Sequence, residues 1–230
     1  MTDHKQIYKS EADQYDQLVS YEDYQGNLLP AIQRIVTLQG KGILELGAGT
    51  GRLTKLIVPY SREVFALDIS HAILKVADRK ISNMDLKNWQ LAVGDHRQLP
   101  IVDHCMDLII SGWSICYLVD WYRSTWKKEL KLAFEEMHRV LRKNGIIILI
   151  ETQGTGFETP QPPDHLFHYF EFLDDSDFSK TWIRTDYQFS NLETAEKISR
   201  FFFGDELANQ VKKNNWVVLP ECTGLWWKRV

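Results

Sequence analysis

The sequence predicts an α/β protein, a mostly parallel sheet with helices on both faces, and three observations point there. Short apolar runs alternate with longer amphipathic ones between Gly42 and Glu151, a glycine-rich turn (Gly47–Gly51) joins the first strand-like run to the first helix-like run, and an acid, Asp68, closes the second strand-like run. Strands that alternate with helices pair in parallel, because each helix carries the chain back across the sheet.

The elements follow in order. Tyr8–Val19 and Asn27–Val36 have helical spacing and precede any strand, so they must cover something. Gly42–Leu46, Val64–Leu67, Trp89–Val93, Met106–Ile110 and Ile146–Glu151 read as strands, with helices at Arg52–Tyr60 and His71–Lys80. A further helix puts Leu130, Ala133, Phe134, Met137, Val140 and Leu141 on one face and Lys127, Lys128, Glu135, Arg139 and Arg142 on the other. Ser124 or Thr125 is placed to cap its start, Arg142 and Lys143 suit its negative end, and Asn144-Gly145 supplies a left-handed stop. The Pro-rich Thr159–Pro163 marks a change of regime. Beyond it come an aromatic stretch, a strand over Trp182–Phe189, a helix opened by the capping box Ser190–Glu193, a helix over Asp205–Lys213, and an interrupted last strand, Trp216–Leu219 with Gly224–Trp227.

The 230 residues allow one large domain. With 27 basic and 31 acidic side chains and 44% apolar residues, the chain has the composition of a soluble globular protein and offers no basic field to a nucleic-acid backbone. No apolar run is long enough to span a bilayer, so no membrane partner is expected. The polar start and the three scattered cysteines point to a reduced, cytoplasmic setting.

The strongest chemical signal is Ile43-Leu44-Glu45-Leu46-Gly47-Ala48-Gly49-Thr50-Gly51-Arg52-Leu53. Glycines let the backbone turn sharply and admit a ligand where a Cβ would clash. Arg52 stands where the dinucleotide fingerprint has its last glycine, and the Lys-Ser/Thr ending of a P-loop is missing. Asp68 lies 21 residues after Gly47, where a carboxylate can accept from both ribose hydroxyls, and Asp95 follows the next strand, in reach of an exocyclic amine. Three carboxyl groups around a loop with no phosphate signature suggest a ligand with positive charge.

In these residues the sequence resembles the class I methyltransferases that use S-adenosylmethionine. The resemblance spans roughly Tyr8–Glu151 and lies in ILELGAGTGRL, VFALDIS, VGDHRQLP and RKNGIIILIE. It implies a Rossmann-like methyltransferase fold, a seven-stranded sheet with the last strand antiparallel and a helical lid. It also implies S-adenosylmethionine as cofactor, S-adenosylhomocysteine as product, and a small-molecule acceptor whose methylated atom (O, N or C) stays open. By resemblance, Glu45 and the loop of Gly47, Ala48, Gly49 and Gly51 hold the methionine part, Asp68 the ribose, Ile69 the adenine face, and Asp95 with His96 the adenine edge; Tyr15 and Ser111 complete the set. Tyr8–Asp16 is similar to a segment that closes over the cofactor in the quinone-pathway C-methyltransferases.

For the transfer itself, His165 or His168, beside the aromatic stretch, are candidate bases, with Tyr117 as positioner. Their three-residue spacing lacks the His-Glu-x-x-His pattern, so no metal is expected. The whole chain is expected to form one domain, with cap helices over 1–40, a cofactor-binding core over 41–151, and a substrate lid plus the last two strands over 152–230. An NAD-dependent oxidoreductase and a non-catalytic cofactor-binding protein are the competing readings. The oligomeric state is left open.

Overall fold

The computed structural model describes residues 4–230. Three helices come first: α1 (His4–Ser10), α2 (Ala12–Ser20) and α3 (Leu28–Ile35). The core alternates β1 (Gly42–Leu46), α4 (Arg52–Ile57), β2 (Glu63–Asp68), α5 (His71–Ser82), β3 (Trp89–Val93), β4 (Met106–Gly112), α6 (Cys116–Trp121), α7 (Trp126–Val140) and β5 (Leu141–Thr155). It is followed by α8 (Phe167–Asp175), β6 (Ser179–Arg184), β7 (Tyr187–Gln188), α9 (Leu192–Phe203), α10 (Asp205–Asn214), β8 (Val218–Leu219) and β9 (Glu221–Arg229). Seven strands make one sheet, ordered β3-β2-β1-β4-β5-β9-β6. β1 to β5 pair in parallel, while β9 runs antiparallel to both β5 and β6. This is the expected seven-stranded α/β sheet.

Period-two side-chain alternation sorts the strands between two cores. Leu44, Leu46, Ile109, Ile147 and Leu149 pack with α6, α7 and α8, whereas Ile43, Ala66, Leu108, Ile110, Ile148 and Ile150 pack on the opposite face with α3 and α4. Ile147 to Ile150 have no exposed surface, as a central strand covered on both faces requires. A third cluster joins Leu18 of α2 to Tyr187, Phe189, Ile198, Val211 and Leu219, which fastens the first helices to the last ones.

Several local expectations are corrected. The first core helix gives way at Pro59 to a 3-10 turn, Val58–Tyr60. α7 stops at Val140, not at Asn144, because Leu141 is already extended and pairs with Met106. Arg142 then leaves the helix end for an ion pair with Asp107, and the left-handed Asn144 (φ +65°) lies within β5. Thr125 sits at the cap of α7 without a side-chain bond to it. Asn191, not Ser190, caps α9, accepting from Thr194 N at 2.8 Å. The strand expected over Trp182–Phe189 divides, and β7 pairs with β8 as a separate two-stranded ribbon instead of extending the sheet.

Candidate active site

From β1 the sheet grows to β2 and β3 on one side and to β4 and β5 on the other. Ligands of open α/β sheets bind beyond the strand ends at such a switch point. A cavity of about 500 Å³ opens there, walled by the turns after β1 to β4 and roofed by α1, α2 and α6.

The glycines of the first turn do different work. Gly47, Gly49 and Gly51 all have positive φ (+73°, +55°, +81°). At Gly47 a Cβ would lie 1.9 Å from Ser114 Oγ, so the absence of a side chain lets the turns after β1 and β4 meet. At Gly51 it would lie 3.0 Å from Ile81 Cδ1 and 3.2 Å from Ala77 Cβ, so this glycine serves the packing of α4 on α5 and does not wall the cavity. Ala48 also stays out of it, its N–H donating to Leu67 O at 2.9 Å.

Asp68 lines the cavity. Oδ2 accepts from Gly49 N at 2.9 Å and Oδ1 from Ser70 N at 2.8 Å, which fixes the carboxylate and leaves a further lone pair on each oxygen. Burial raises its pKa. Ile69 is 56% exposed beside it, an apolar surface suited to a planar ring. This pairing of a two-oxygen acceptor with an uncovered apolar side chain fits an adenosine. Asp95 lines the cavity too, but Arg97 occupies both of its oxygens (2.9 and 2.6 Å) and, mainly through those bonds, lowers its pKa; the expected bond to an exocyclic amine must share this carboxylate. His96 Nε2 lies 2.9 Å from Ser114 Oγ and its Nδ1 has no partner; burial lowers its pKa to about 4, so the ring is neutral. Ser111 is corrected: it is fully buried, and Ser114, three residues on, reaches the wall in its place.

Glu45 lies beneath the loop, 1% exposed, in a second cavity of about 20 Å³ that shares Tyr15, Gly47, Gly49 and Gly112 with the first. Thr54 Oγ1 donates to its Oε2 at 2.6 Å, its Oε1 is unpartnered, and burial pushes its pKa up to about 8.

The roof is aromatic. Tyr8 and Tyr117 hydroxyls are 2.5 Å apart, Tyr15 lies edge-on to Tyr8 at 5.1 Å, and Tyr117 stacks on Trp121 at 5.0 Å. Burial holds both bonded phenols well above their usual pKa. Tyr117 and Tyr15 both line the cavity. The two histidines do not: His165 lies near Asp120 (3.6 Å), His168 bonds Glu171, both side chains are more than half exposed, and neither reaches the cavity. Nor does any residue of 152–230, expected to carry the substrate lid, line this cavity; Phe202 stacks on His4 and packs behind Tyr15. Tyr8, Arg97, Trp113 and Ser114 were not singled out as site residues; the Arg two places after Asp95 was the one with a local signal.

Residues 44–149 match the methyltransferase domain family. A demethylmenaquinone methyltransferase of Geobacillus stearothermophilus is 26% identical over 219 residues, covering 92% of this chain and 87% of the relative. An uncharacterized methyltransferase of Anoxybacillus flavithermus is 26% identical over 151 residues, where the match spans 64% of this chain and 66% of that protein. Among solved structures, phosphoethanolamine N-methyltransferase 1 of Haemonchus contortus, in complex with phosphoethanolamine and S-adenosylhomocysteine, shares the fold (TM-score 0.54, 17% identity, 96% of this chain, 48% of that one). So does the [4+2]-cyclase SpnF (TM-score 0.59, 15% identity, 88% and 80%). The fold and these matches together support a class I S-adenosylmethionine-dependent methyltransferase. Its fold and its cofactor are those of that class.

Proposed function

We propose that this enzyme methylates a small, largely apolar acceptor bearing a planar ring, with the cofactor's adenosine at Asp68 and Ile69 and the acceptor beneath the tyrosine roof. The carrying observation is that one cavity runs from the Gly49–Asp68 bond to the paired hydroxyls of Tyr8 and Tyr117. The Geobacillus relative's name points to a quinone-type ring, and the aromatic walls suit one. When bound, the cofactor supplies a methyl group on a good leaving group, so the protein's task is placement in a dry site. Tyr8 and Tyr117 share one hydrogen and keep one to hold an oxygen or nitrogen of the acceptor. With both phenols held neutral, they position the acceptor and do not deprotonate it. α1 and α2 act as a lid, fastened where Ser70 Oγ donates to Tyr8 O at 2.8 Å.

No described helix is long and apolar enough to cross a membrane. The free thiols of Cys105, Cys116 and Cys222 suit a reducing, cytoplasmic setting, and the net charge of −4 suits an acceptor other than nucleic acid. Turnover of a metabolite library with labelled S-adenosylmethionine tests the reading. Label in a small ring compound supports it, and label only in nucleic acid or protein overturns it. Melting with S-adenosylhomocysteine and with NAD should show a shift of roughly 5–10 °C for the first alone at about 100 times Kd.

A further inference from the structure

The roof of the cavity carries two lysines that the proposed transfer leaves unused. α1 sets Lys5, Tyr8 and Lys9 at i, i+3 and i+4, so one helix face brings all three to the cavity wall. A helix that covers an apolar wall ordinarily keeps its lysines on the opposite face, yet here they flank the tyrosine of the roof. The Lys5 ammonium lies 4.9 Å from the Trp121 ring centroid and 5.8 Å from that of Tyr122, and Trp121 in turn stacks on Tyr117 at 5.0 Å. Two ring contacts therefore connect this cation to the phenol that Tyr8 bonds.

The carboxylates and the guanidinium of the wall are accounted for. Arg97, which also lies over Tyr122 (4.6 Å), donates to both oxygens of Asp95 and to Glu129. Asp68 accepts from two backbone N–H groups at the adenosine end, and His96 is neutral. Lys5 and Lys9 differ: among the described residues neither has a carboxylate partner. A ring contact uses none of the three N–H donors of an ammonium, so Lys5 keeps its full hydrogen-bonding capacity for a ligand. With the cofactor's sulfonium bound, a third positive charge would share the cavity, and a neutral acceptor would leave all three without a counter-charge. Both lysines are exposed, so an anion that meets them stays near water and is spared most of the cost of burial.

We propose that the acceptor is an acid: a planar ring whose anionic substituent, a carboxylate or a phosphate, is received by Lys5 over Trp121 and Tyr122, with Lys9 one turn further along α1, while the ring itself lies at the tyrosine pair. This rests on the ring acceptor proposed above and adds the charge that selects it. It also fixes a direction, with the acid group at the mouth and the atom to be methylated inside.

Calorimetry on the full chain saturated with S-adenosylhomocysteine compares three probes built on one ring system: 2-naphthoate, 2-naphthyl phosphate and the neutral 2-naphthamide. The parent should bind at least one of the two anions about tenfold more tightly than the amide, and the margin should shrink as salt is raised. The anion with the larger margin is the group the lysines fit. Lys5→Met with Lys9→Met keeps much of the aliphatic stems and should remove the margin, whereas Lys5→Arg should keep most of it. The double variant should still bind S-adenosylhomocysteine within about threefold of the parent, which shows that the fold and the cofactor site are intact. Equal binding of the amide and both anions by the parent overturns the inference, as does a margin that survives in the double variant. A parent that holds S-adenosylhomocysteine and takes up none of the three probes would instead overturn the planar-ring acceptor on which the inference rests.

Discussion

At the scale of single residues, Asp68 and Glu45 make separable contributions. Asp68 is fixed by two backbone N–H groups before any ligand arrives, so its spare lone pairs are already oriented. Asp68→Ala should weaken S-adenosylhomocysteine binding by about 1.5–3 kcal/mol, and calorimetry giving the parent affinity would remove it from the ribose. Glu45, raised to about 8 by burial, is mostly protonated at neutral pH in the free protein. An ammonium beside it favours the carboxylate, so binding should release a proton, and affinity should climb between pH 6 and pH 8 by up to about tenfold per unit. Titrations in buffers of different ionisation heat count that proton. A flat affinity over this range, or the same slope in Glu45→Gln, would contradict the role.

At the scale of elements, the start of α4 shows what packing adds to a sequence motif. Gly51 looks like part of a ligand loop, yet its missing Cβ makes room for Ala77 and Ile81 of α5. Gly51→Ala combines a left-handed alanine with a contact near 3 Å and should cost about 1–3 kcal/mol in urea unfolding while cofactor affinity falls much less. If affinity collapses and stability holds, the glycine belongs to the site after all. The same contrast explains what was legible beforehand. The five parallel strands, the loop and Asp68 were readable because periodicity and spacing are local properties, and the buried Ile146–Ile150 run announces a central strand. Tyr8 and Tyr117 meet across 109 positions, and no local pattern marks that pair. Aromatic neighbours in sequence suggest the pocket for His165 and His168, but α8 turns its apolar face, Tyr169, Phe170 and Leu173, into the core and leaves His168 in solvent, as does the 3-10 turn before it (Asp164–Leu166) for His165. Ser111 failed for a related reason. Pleating alternates side chains across the sheet, so position along a strand does not say which serine clears its end.

At the scale of the whole molecule, the buried acids set the pH dependence of stability. Glu45 and Glu221 are pushed up to about 8 and Glu151 to about 7, in each case chiefly by burial. Each binds its proton more tightly folded than unfolded, so its contribution is complete below its ordinary pKa of 4.5 and is lost as pH rises through 7 to 8. His96 acts in the opposite sense. Burial lowers it from 6.5 to about 4, so its contribution is present above 6.5 and is lost as pH falls toward 4. Asp95 and Glu136, lowered chiefly by their bonds to Arg97 and Arg139, weaken the fold further in acid. Above about pH 5 the three raised acids outweigh the one lowered histidine, so the melting temperature should fall by several degrees from pH 5 toward pH 8.5. Glu221 lies far from the glycine loop in sequence and shares its Oε1 with Thr152 Oγ1 at 2.7 Å, a bond that glutamine can keep. Glu221→Gln should therefore flatten the alkaline limb without moving the acid one, since it removes the group that must ionise in a buried place. Melting curves from pH 5 to pH 8.5 decide the matter: a temperature that climbs steadily to pH 8.5, or an alkaline fall of equal size in Glu221→Gln, would show that these buried carboxyls do not govern stability.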